Sequence, residues 1–150
     1  MSELIKEKIR TAVHDSYYTY DINCANTTLN VLSDLFHQPI DKQVTAAAVG
    51  MHGAGGFRAQ CGLVEGALMF IGIFFTAKNI PESVIIDLCY RFAEKFTETF
   101  GSLLCYDLRP GGFSDDDPPH LCENLSVRTI YFSYTFITDS LKNLVAAHHE

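Results

Sequence analysis

The chain has 150 residues, with 18 acidic and 11 basic side chains and a formal net charge of −7. This length suits a single domain covering residues 1–150, and so acidic a balance argues against nucleic acid or an anionic membrane as a partner. The opening decapeptide MSELIKEKIR has neither the apolar core of a signal peptide nor a twin-arginine pair, so we expect a cytoplasmic protein.

The N-terminal part of the sequence carries the apolar spacing of helices. A first helix is predicted from residues that recur at helical spacing: Leu4, Ile5, Ile9, Ala12, Val13 and Tyr17. A second helix is expected to begin near Asn23, and a third to be capped by Asp41. The segment HGAGGFRAQ, residues 52–60, is predicted to be a glycine-rich loop.

The C-terminal part continues with helices and one long loop. An apolar helix is predicted from residue 61 to about residue 76, too short to span a bilayer, and another over residues 81–101. Residues 103–108 suggest a short turn and residues 109–120 a loop. The last segment, VRTIYFSYTFIT, is rich in strand-forming residues, but no partner strand is evident, so we predict a helix. The expected fold is all-α, a single-domain bundle of about five to seven helices.

Five cysteines are present, an odd number that excludes complete pairing within one chain. In a reducing compartment persistent disulfides are not expected, which leaves core packing, metal binding or redox chemistry. Cys89 lies on the apolar stripe of the helix predicted at residues 81–101, beside Leu88 and Phe92, where a small buried hydrophobe is expected. It is therefore set apart from the other four.

The four remaining cysteines, here called the motif cysteines, lie at the ends of predicted elements: Cys24, Cys61, Cys105 and Cys122. All but Cys105 are predicted at helix N-termini, where the dipole and free N–H groups favour the thiolate. The chain has no CxxC pair, which disfavours zinc sites and thioredoxin-like chemistry. Four isolated thiolates suit an iron–sulfur cluster. A thiol–disulfide redox protein and a zinc-stabilised structural or interaction module stay as alternatives.

From Asn23 onward the chain resembles the C_GCAxxG_C_C family of redox-active proteins. The resemblance rests on these segments: Asn23-Cys24-Ala25, the glycine-rich loop, Cys61-Gly62-Leu63-Val64-Glu65-Gly66, Phe100-Gly101, Cys105 and Cys122. The family motif around the second cysteine reads CGAxxG, and Leu63 replaces its alanine here. The resemblance implies a cofactor, an iron–sulfur cluster, held by the four motif cysteines as metal ligands.

Four further residues are candidates to support the site: Gly62, Glu65, Gly66 and His120. The two glycines are four positions apart on one helix face, where they permit close approach of backbone or cofactor, or tight helix packing. Glu65 shares that face with Cys61; it could carry a proton during reduction, but pairing with Arg58 or contact with solvent is favoured. His120 and His52 are alternative ligands, although a loop histidine is more often solvated.

The expected function is electron transfer or redox sensing with an unidentified redox partner protein. No nucleophile–base pair or substrate motif in the sequence indicates a specific enzyme. We also expect a symmetric homodimer, because an apolar run near the C-terminus covers the whole circumference of a helix and part of it should be exposed: Ile130, Tyr131, Phe132, Tyr134, Phe136 and Ile137. The alternative is a helix buried all round at the centre of the monomer.

Overall fold

The computed structural model describes residues 2–148 and shows the predicted all-α fold. This part of the chain contains eight helices and no strand: α1 (Ser2–Tyr18), α2 (Cys24–Phe36), α3 (Lys42–Ala47), α4 (Gly53–Gly56), α5 (Gly62–Ala77), α6 (Glu82–Phe100), α7 (Cys105–Leu108) and α8 (Glu123–His148). The count exceeds the expected five to seven because three helices are short, with six residues in α3 and four each in α4 and α7.

Helices α2 and α5 make the most extensive contact in the core. α2 begins where the sequence predicts, because the Asn23 side chain accepts a hydrogen bond from the Asn26 N–H at 2.8 Å. α5 is almost entirely apolar, and several of its large side chains are fully buried, among them Phe70, Ile71 and Phe75. A Cβ on Gly66 would lie 2.5 Å from the carbonyl oxygen of Ala25, so glycine is required for this close packing.

Helix α6 keeps its predicted stripe and its predicted end. Gly101 adopts a φ of +94°, a left-handed conformation that glycine takes without strain, and this residue ends the helix. The centre of the stripe is buried: Ile85, Leu88, Phe92 and Phe96. Cys89 lies at the edge of that stripe and packs against the core, but it is half-buried and so less buried than expected.

The apolar run of helix α8 does not form the exposed patch that the sequence predicts. Ile130, Phe136 and Ile137 are buried, and the other three residues of the run are half-buried. One side of α8 contacts α1, α2 and α5, and the ring of Phe132 packs against three rings of α6: Phe92, Phe96 and Phe100. α8 is therefore central to the monomer. The premise for a homodimer is wrong, and self-association itself stays a prediction.

Internal hydrogen bonds allow the hydroxyl groups of α8 to be buried. Ser126, Thr129 and Ser133 are fully buried, and their side chains donate to carbonyl groups of the preceding turn at 2.8, 3.2 and 2.9 Å. The acceptor for Ser126 is the carbonyl oxygen of Cys122. The first turn of α8 is thereby tied to a motif cysteine.

Within residues 2–148, no helix combines the length and the apolar character needed to cross a membrane. α5 is the most apolar of the long helices, but it has only 16 residues. Its surface is covered by α2, α6 and α8, as expected for a central helix of the bundle.

Candidate functional site

All four motif cysteines lie at helix N-termini in the structure. Cys24 is the first residue of α2, and Cys61 immediately precedes α5. Cys105 is the first residue of α7, and Cys122 immediately precedes α8. The sequence predicts this position for three of them. Cys105 joins them because the segment expected to be a turn forms a short helix instead.

An antiparallel β-bridge joins the segments that carry Cys61 and Cys105. Gln60 and Leu104 lie opposite each other in this bridge. The N–H of Cys61 donates across it at 2.8 Å, and the N–H of Cys105 donates in the other direction at 2.7 Å. Because side chains alternate along extended backbone, the two cysteines lie on the face opposite to Gln60 and Leu104. The bridge therefore directs two motif cysteines to the same side.

Gly62 makes room for the sulfur of Cys24 at the start of α5. A Cβ at position 62 would fall on Cys24 Sγ, and it would also lie 2.9 Å from the carbonyl oxygen of Met51. Gly66, one turn later, makes room for the backbone of α2 instead. The sequence allows close approach and helix packing as roles for both glycines, and the structure assigns sulfur approach to Gly62 and helix packing to Gly66.

Cys24 and Cys61, here called the inner pair, are held by the two core helices. Burial, together with the charges of Cys105 and Cys122, raises the pKa of Cys24 to about 11. Burial, together with the charge of Cys24 and smaller effects of the other two motif cysteines, raises the pKa of Cys61 to about 12. Backbone hydrogen bonds to both sulfurs act in the opposite direction and do not outweigh burial.

Cys105 and Cys122, here called the outer pair, bound the loop of residues 109–120. Burial raises the pKa of both thiols above the usual range. The positive charge of Arg109 lowers the pKa of both, and that of Arg58 lowers the pKa of Cys105, so each arginine offsets part of the effect of burial. The outer pair is thus the part of the site where arginine charges act on the pKa of the thiols.

The four motif cysteines share one electrostatic neighbourhood. For every pair among them, the negative charge of one thiolate raises the pKa of the other. For Cys89, burial alone raises the pKa. The structure therefore brings Cys24, Cys61, Cys105 and Cys122 together and leaves Cys89 outside the group.

The expected thiolate character of these cysteines is not seen in the structure. Three of them occupy the helix N-termini that the sequence predicts, but the pKa of each motif cysteine is raised rather than lowered. Removing a sulfur from water disfavours its charged form, and at Cys24, Cys61 and Cys122 a neighbouring thiolate would repel that charge further. At neutral pH the metal-free site therefore holds protonated thiols.

The ring of Phe113 contacts the guanidinium groups of two arginines beside the outer pair. The guanidinium carbon of Arg58 lies 4.0 Å from the centre of the Phe113 ring, and that of Arg109 lies 4.7 Å from it. Arg109 also pairs with Asp117 at 3.2 Å. Tyr106 stacks on Phe113 with the ring centres 6.3 Å apart. These contacts hold the loop of residues 109–120 against Arg58, which precedes α5, and against Tyr106 in α7.

Glu65 has a different partner from the one that the sequence suggests. Its carboxylate accepts a hydrogen bond from the side-chain amide of Gln60, and the residue is half-buried. Arg58 stacks on Phe113 instead, so the suggested ion pair between Arg58 and Glu65 is wrong. The β-bridge explains the difference, because it fixes Gln60 next to the first turn of α5.

Tyr17 is a residue of the site that the sequence analysis missed. It is 4% exposed, and its hydroxyl lies 2.5 Å from Ser126 Oγ. Burial raises the pKa of Tyr17, and the charges of Cys24, Cys122 and Cys61 raise it further, so the phenol shares the electrostatic neighbourhood of three motif cysteines. The only sequence signal was its place on the apolar stripe of α1, which is equally typical of a core residue.

The two candidate histidines have protein partners. The ring of His120 stacks on that of Tyr17 with the centres 4.9 Å apart, and its Nε2 lies 3.4 Å from a carboxylate oxygen of Asp21. His52 Nδ1 lies 3.5 Å from the amide nitrogen of Asn23. His120 therefore lies beside the site through Tyr17, and His52 packs at the start of α2.

The described part of the chain lacks a ready-made site for a single metal ion. Within residues 2–148, no group of three or more histidine, cysteine, aspartate or glutamate side chains is arranged to hold a metal ion. All five cysteines are free thiols. The motif cysteines therefore share a neighbourhood without forming a ligand set for one ion.

Comparison with known proteins supports the resemblance drawn from the sequence. The family model described as "Putative redox-active protein (C_GCAxxG_C_C)" matches residues 22–134, which include all four motif cysteines. No curated protein and no solved structure matches the chain significantly. The family description gives redox activity and names no cofactor.

Proposed function

The chain belongs to the C_GCAxxG_C_C family of redox-active proteins, and we propose that it binds an iron–sulfur cluster through its four motif cysteines for electron transfer or redox sensing. The observation that carries this proposal is the convergence of four thiols from four helix N-termini. Four cysteines are the usual ligand set of two-iron and four-iron clusters.

A single ion and a cluster require different arrangements of the four thiols. A zinc ion requires all its sulfur ligands at about 2.3 Å from one point, and residues 2–148 contain no group of three donors arranged to hold a metal ion. A cluster distributes its four thiolates over two or four iron atoms, so its ligands lie farther apart. Bound iron would also relieve the repulsion between thiolates that raises the pKa of Cys24 and Cys61.

Residues of this chain would hold and tune the ligands. Gly62 leaves the space that Cys24 Sγ occupies, so the inner pair is positioned by two packed helices. Arg58 and Arg109 bring positive charge to the outer pair, which favours thiolates there. Cys61 is buried, which would limit the access of water to a bound cluster. When bound, a cluster supplies reversible one-electron chemistry.

Iron, acid-labile sulfide and zinc analysis of protein purified without oxygen tests this proposal. We expect iron and sulfide in equal amounts and a brown protein. Replacing each motif cysteine by serine should lower the iron content severalfold, because each substitution removes one iron–thiolate bond. Cys89→Ser is the matched control and should keep its iron, with circular dichroism showing that every variant is folded.

The alternatives give different results in the same measurements. Zinc without sulfide would support the zinc-stabilised module. Metal-free protein whose motif cysteines oxidise in pairs would support the thiol–disulfide protein. Full iron content in all four serine variants would contradict the proposed ligands.

A further inference from the structure

We propose that Tyr17 is a positioning residue for Cys122: it contacts the chain on both sides of this cysteine and so fixes the place of its sulfur in the site. This role rests on the proposed cluster-binding function and adds the residue that holds one of the four ligands. Tyr17 belongs to α1, which contains no cysteine. It therefore holds a ligand without supplying one.

The hydroxyl groups of Tyr17 and Ser126 form a chain of hydrogen bonds that ends at Cys122. Ser126 Oγ donates to the carbonyl oxygen of Cys122 at 2.8 Å. Because a serine hydroxyl has a single proton, the phenol is the donor in the contact of 2.5 Å between the Tyr17 hydroxyl and Ser126 Oγ. Burial raises the pKa of Tyr17, which keeps this proton on the phenol at neutral pH. The chain thus connects α1 to the peptide group of Cys122.

The ring of Tyr17 contacts the residue that leads into Cys122 from the other direction. His120 stacks on this ring with the centres 4.9 Å apart and the planes 7° apart. The backbone of His120 has a φ of +60°, in the left-handed region that residues with a side chain seldom adopt. Its carbonyl oxygen accepts a hydrogen bond from the Glu123 N–H at 3.1 Å, which closes the turn that contains Cys122. Such conformations persist only where the surrounding structure maintains them, and the Tyr17 ring supplies such a contact.

A hydroxyl group at position 17 is not needed to fill the core. Tyr17 is 4% exposed and Ser126 is fully buried, so each hydroxyl would be costly without a partner. Phenylalanine and alanine would fill this apolar space without that cost. The two hydroxyls instead satisfy each other where α1 meets the first turn of α8. His14 Nδ1, one turn earlier on α1, lies 2.8 Å from a carboxylate oxygen of Glu123 and ties the same turn to α1 a second time.

Cys122 depends on such contacts more than the other motif cysteines do. The inner pair is placed by two packed core helices, and Cys105 by the β-bridge. Cys122 is half-buried and lies between the loop of residues 109–120 and α8. The position of its sulfur is therefore set by whatever holds the end of that loop and the beginning of α8, and Tyr17 contacts both.

Timed alkylation of the reduced, metal-free protein with iodoacetamide, followed by peptide mapping, tests this role. Tyr17→Phe keeps the ring and its stack on His120 but removes the hydroxyl. We expect Cys122 to react about fivefold faster than in the wild-type protein, because the loss of one net hydrogen bond corresponds to a factor of this order. The rates at the inner pair and at Cys105 should stay within about twofold of their wild-type values, since other contacts place them.

Tyr18→Phe is the matched control. Tyr18 is the next residue in the chain, it is 52% exposed, and its ring meets that of His120 edge-on with the centres 5.1 Å apart. All four rates should be unchanged in this variant. Ser126→Ala removes the middle of the hydrogen-bond chain and should accelerate Cys122 as Tyr17→Phe does. The double variant should be no faster than the faster single variant, because both substitutions interrupt the same chain.

A wild-type rate at Cys122 in Tyr17→Phe would overturn the proposal. An acceleration shared by all four motif cysteines would also overturn it, because it would show a general loosening of the core. Circular dichroism establishes that each variant is folded. If Tyr17→Phe does not fold, Ser126→Ala decides by the same two criteria.

Iron release from protein purified without oxygen carries the test to the proposed cofactor. Tyr17→Phe should release iron to a ferrous chelator at least about fivefold faster than the wild-type protein and Tyr18→Phe, because a ligand that is less firmly held dissociates more readily. Equal release rates would overturn a role of Tyr17 in ligation. Wild-type protein without iron would contradict the cluster, whereas the alkylation rates would still decide whether Tyr17 positions Cys122, so the two failures are distinguishable.

Discussion

The inner and outer pairs of motif cysteines occupy the same kind of position in very different surroundings. Each of the four lies at a helix N-terminus. The inner pair starts α2 and α5, which have 13 and 16 residues and form the centre of the bundle. In the outer pair, Cys105 starts a four-residue helix and Cys122 follows the loop of residues 109–120.

The comparison shows that helix position alone does not set the chemistry of a thiol. The free N–H groups favour a thiolate in all four cases, yet the pKa of every motif cysteine is raised. Burial and the neighbouring thiols dominate at the inner pair, whereas two arginines partly offset burial at the outer pair. The two pairs therefore differ in the charges that act on their thiols, although all four lie at helix N-termini.

The largest effect is expected from filling the space beside the inner pair. Gly62→Ala places a Cβ on Cys24 Sγ, and Gly66→Ala places one 2.5 Å from the carbonyl oxygen of Ala25. Each change should lower the free energy of unfolding by at least about 2 kcal/mol, measured by urea denaturation of the reduced protein, because packed atoms must move.

Gly72→Ala is the matched control on the same helix. A Cβ there meets nothing within 4 Å, so the free energy of unfolding should be unchanged or should rise by up to about 1 kcal/mol from improved helix propensity. If Gly62→Ala proved as stable as Gly72→Ala, the inner pair would not depend on this close contact.

A second effect is expected from raising the pH of the metal-free protein. Unfolded thiols lose their protons near pH 8.5, whereas the pKa of Cys24 is about 11 and that of Cys61 about 12 in the folded protein. Between these values only the unfolded state releases protons, so it is favoured as pH rises. The stability contribution is complete below about pH 8.5 and is lost towards pH 11–12, by up to about 1.4 kcal/mol per thiol for each pH unit in that window.

The double variant Cys24→Ala, Cys61→Ala provides the control for this pH dependence. Its free energy of unfolding should fall less steeply above pH 9 than that of the wild-type protein, since the two thiols with the highest pKa values are gone. Parallel urea titrations from pH 7 to pH 10 measure the difference. Identical slopes would show that the inner pair does not govern alkaline stability.

The smallest effect is a difference in alkylation rate between the two pairs. At pH 8 we expect iodoacetamide to modify Cys105 and Cys122 at least about tenfold faster than Cys24 and Cys61, because the arginines leave the outer pair a larger thiolate fraction. Peptide mapping after timed quenching gives the rates. The four rates should become similar in denaturant, and faster modification of Cys61 than of Cys105 in the folded protein would reverse the comparison.

Much of the fold could be predicted from local sequence signals. Asn23 caps α2 as expected, and Gly101 ends α6 as expected. These predictions succeed because capping and left-handed termination depend on a few neighbouring residues. The exposure of α8 was predicted incorrectly. An apolar run around a whole helix shows that its surroundings are apolar, but it does not show whether they belong to the same chain.

The sequence by itself determined the all-α fold, the helix positions of three motif cysteines and membership of a redox family, because helical periodicity, capping residues and motif spacing are local. Only the tertiary structure decided which way each thiol's pKa moves, which glycine admits a sulfur, and which partners Arg58 and Glu65 have. Burial and charge at these positions arise from residues far apart in the chain, such as the Cys105 segment that the β-bridge holds against the Cys61 segment. No local pattern encodes such contacts, since they exist only once α2, α5 and α8 have packed.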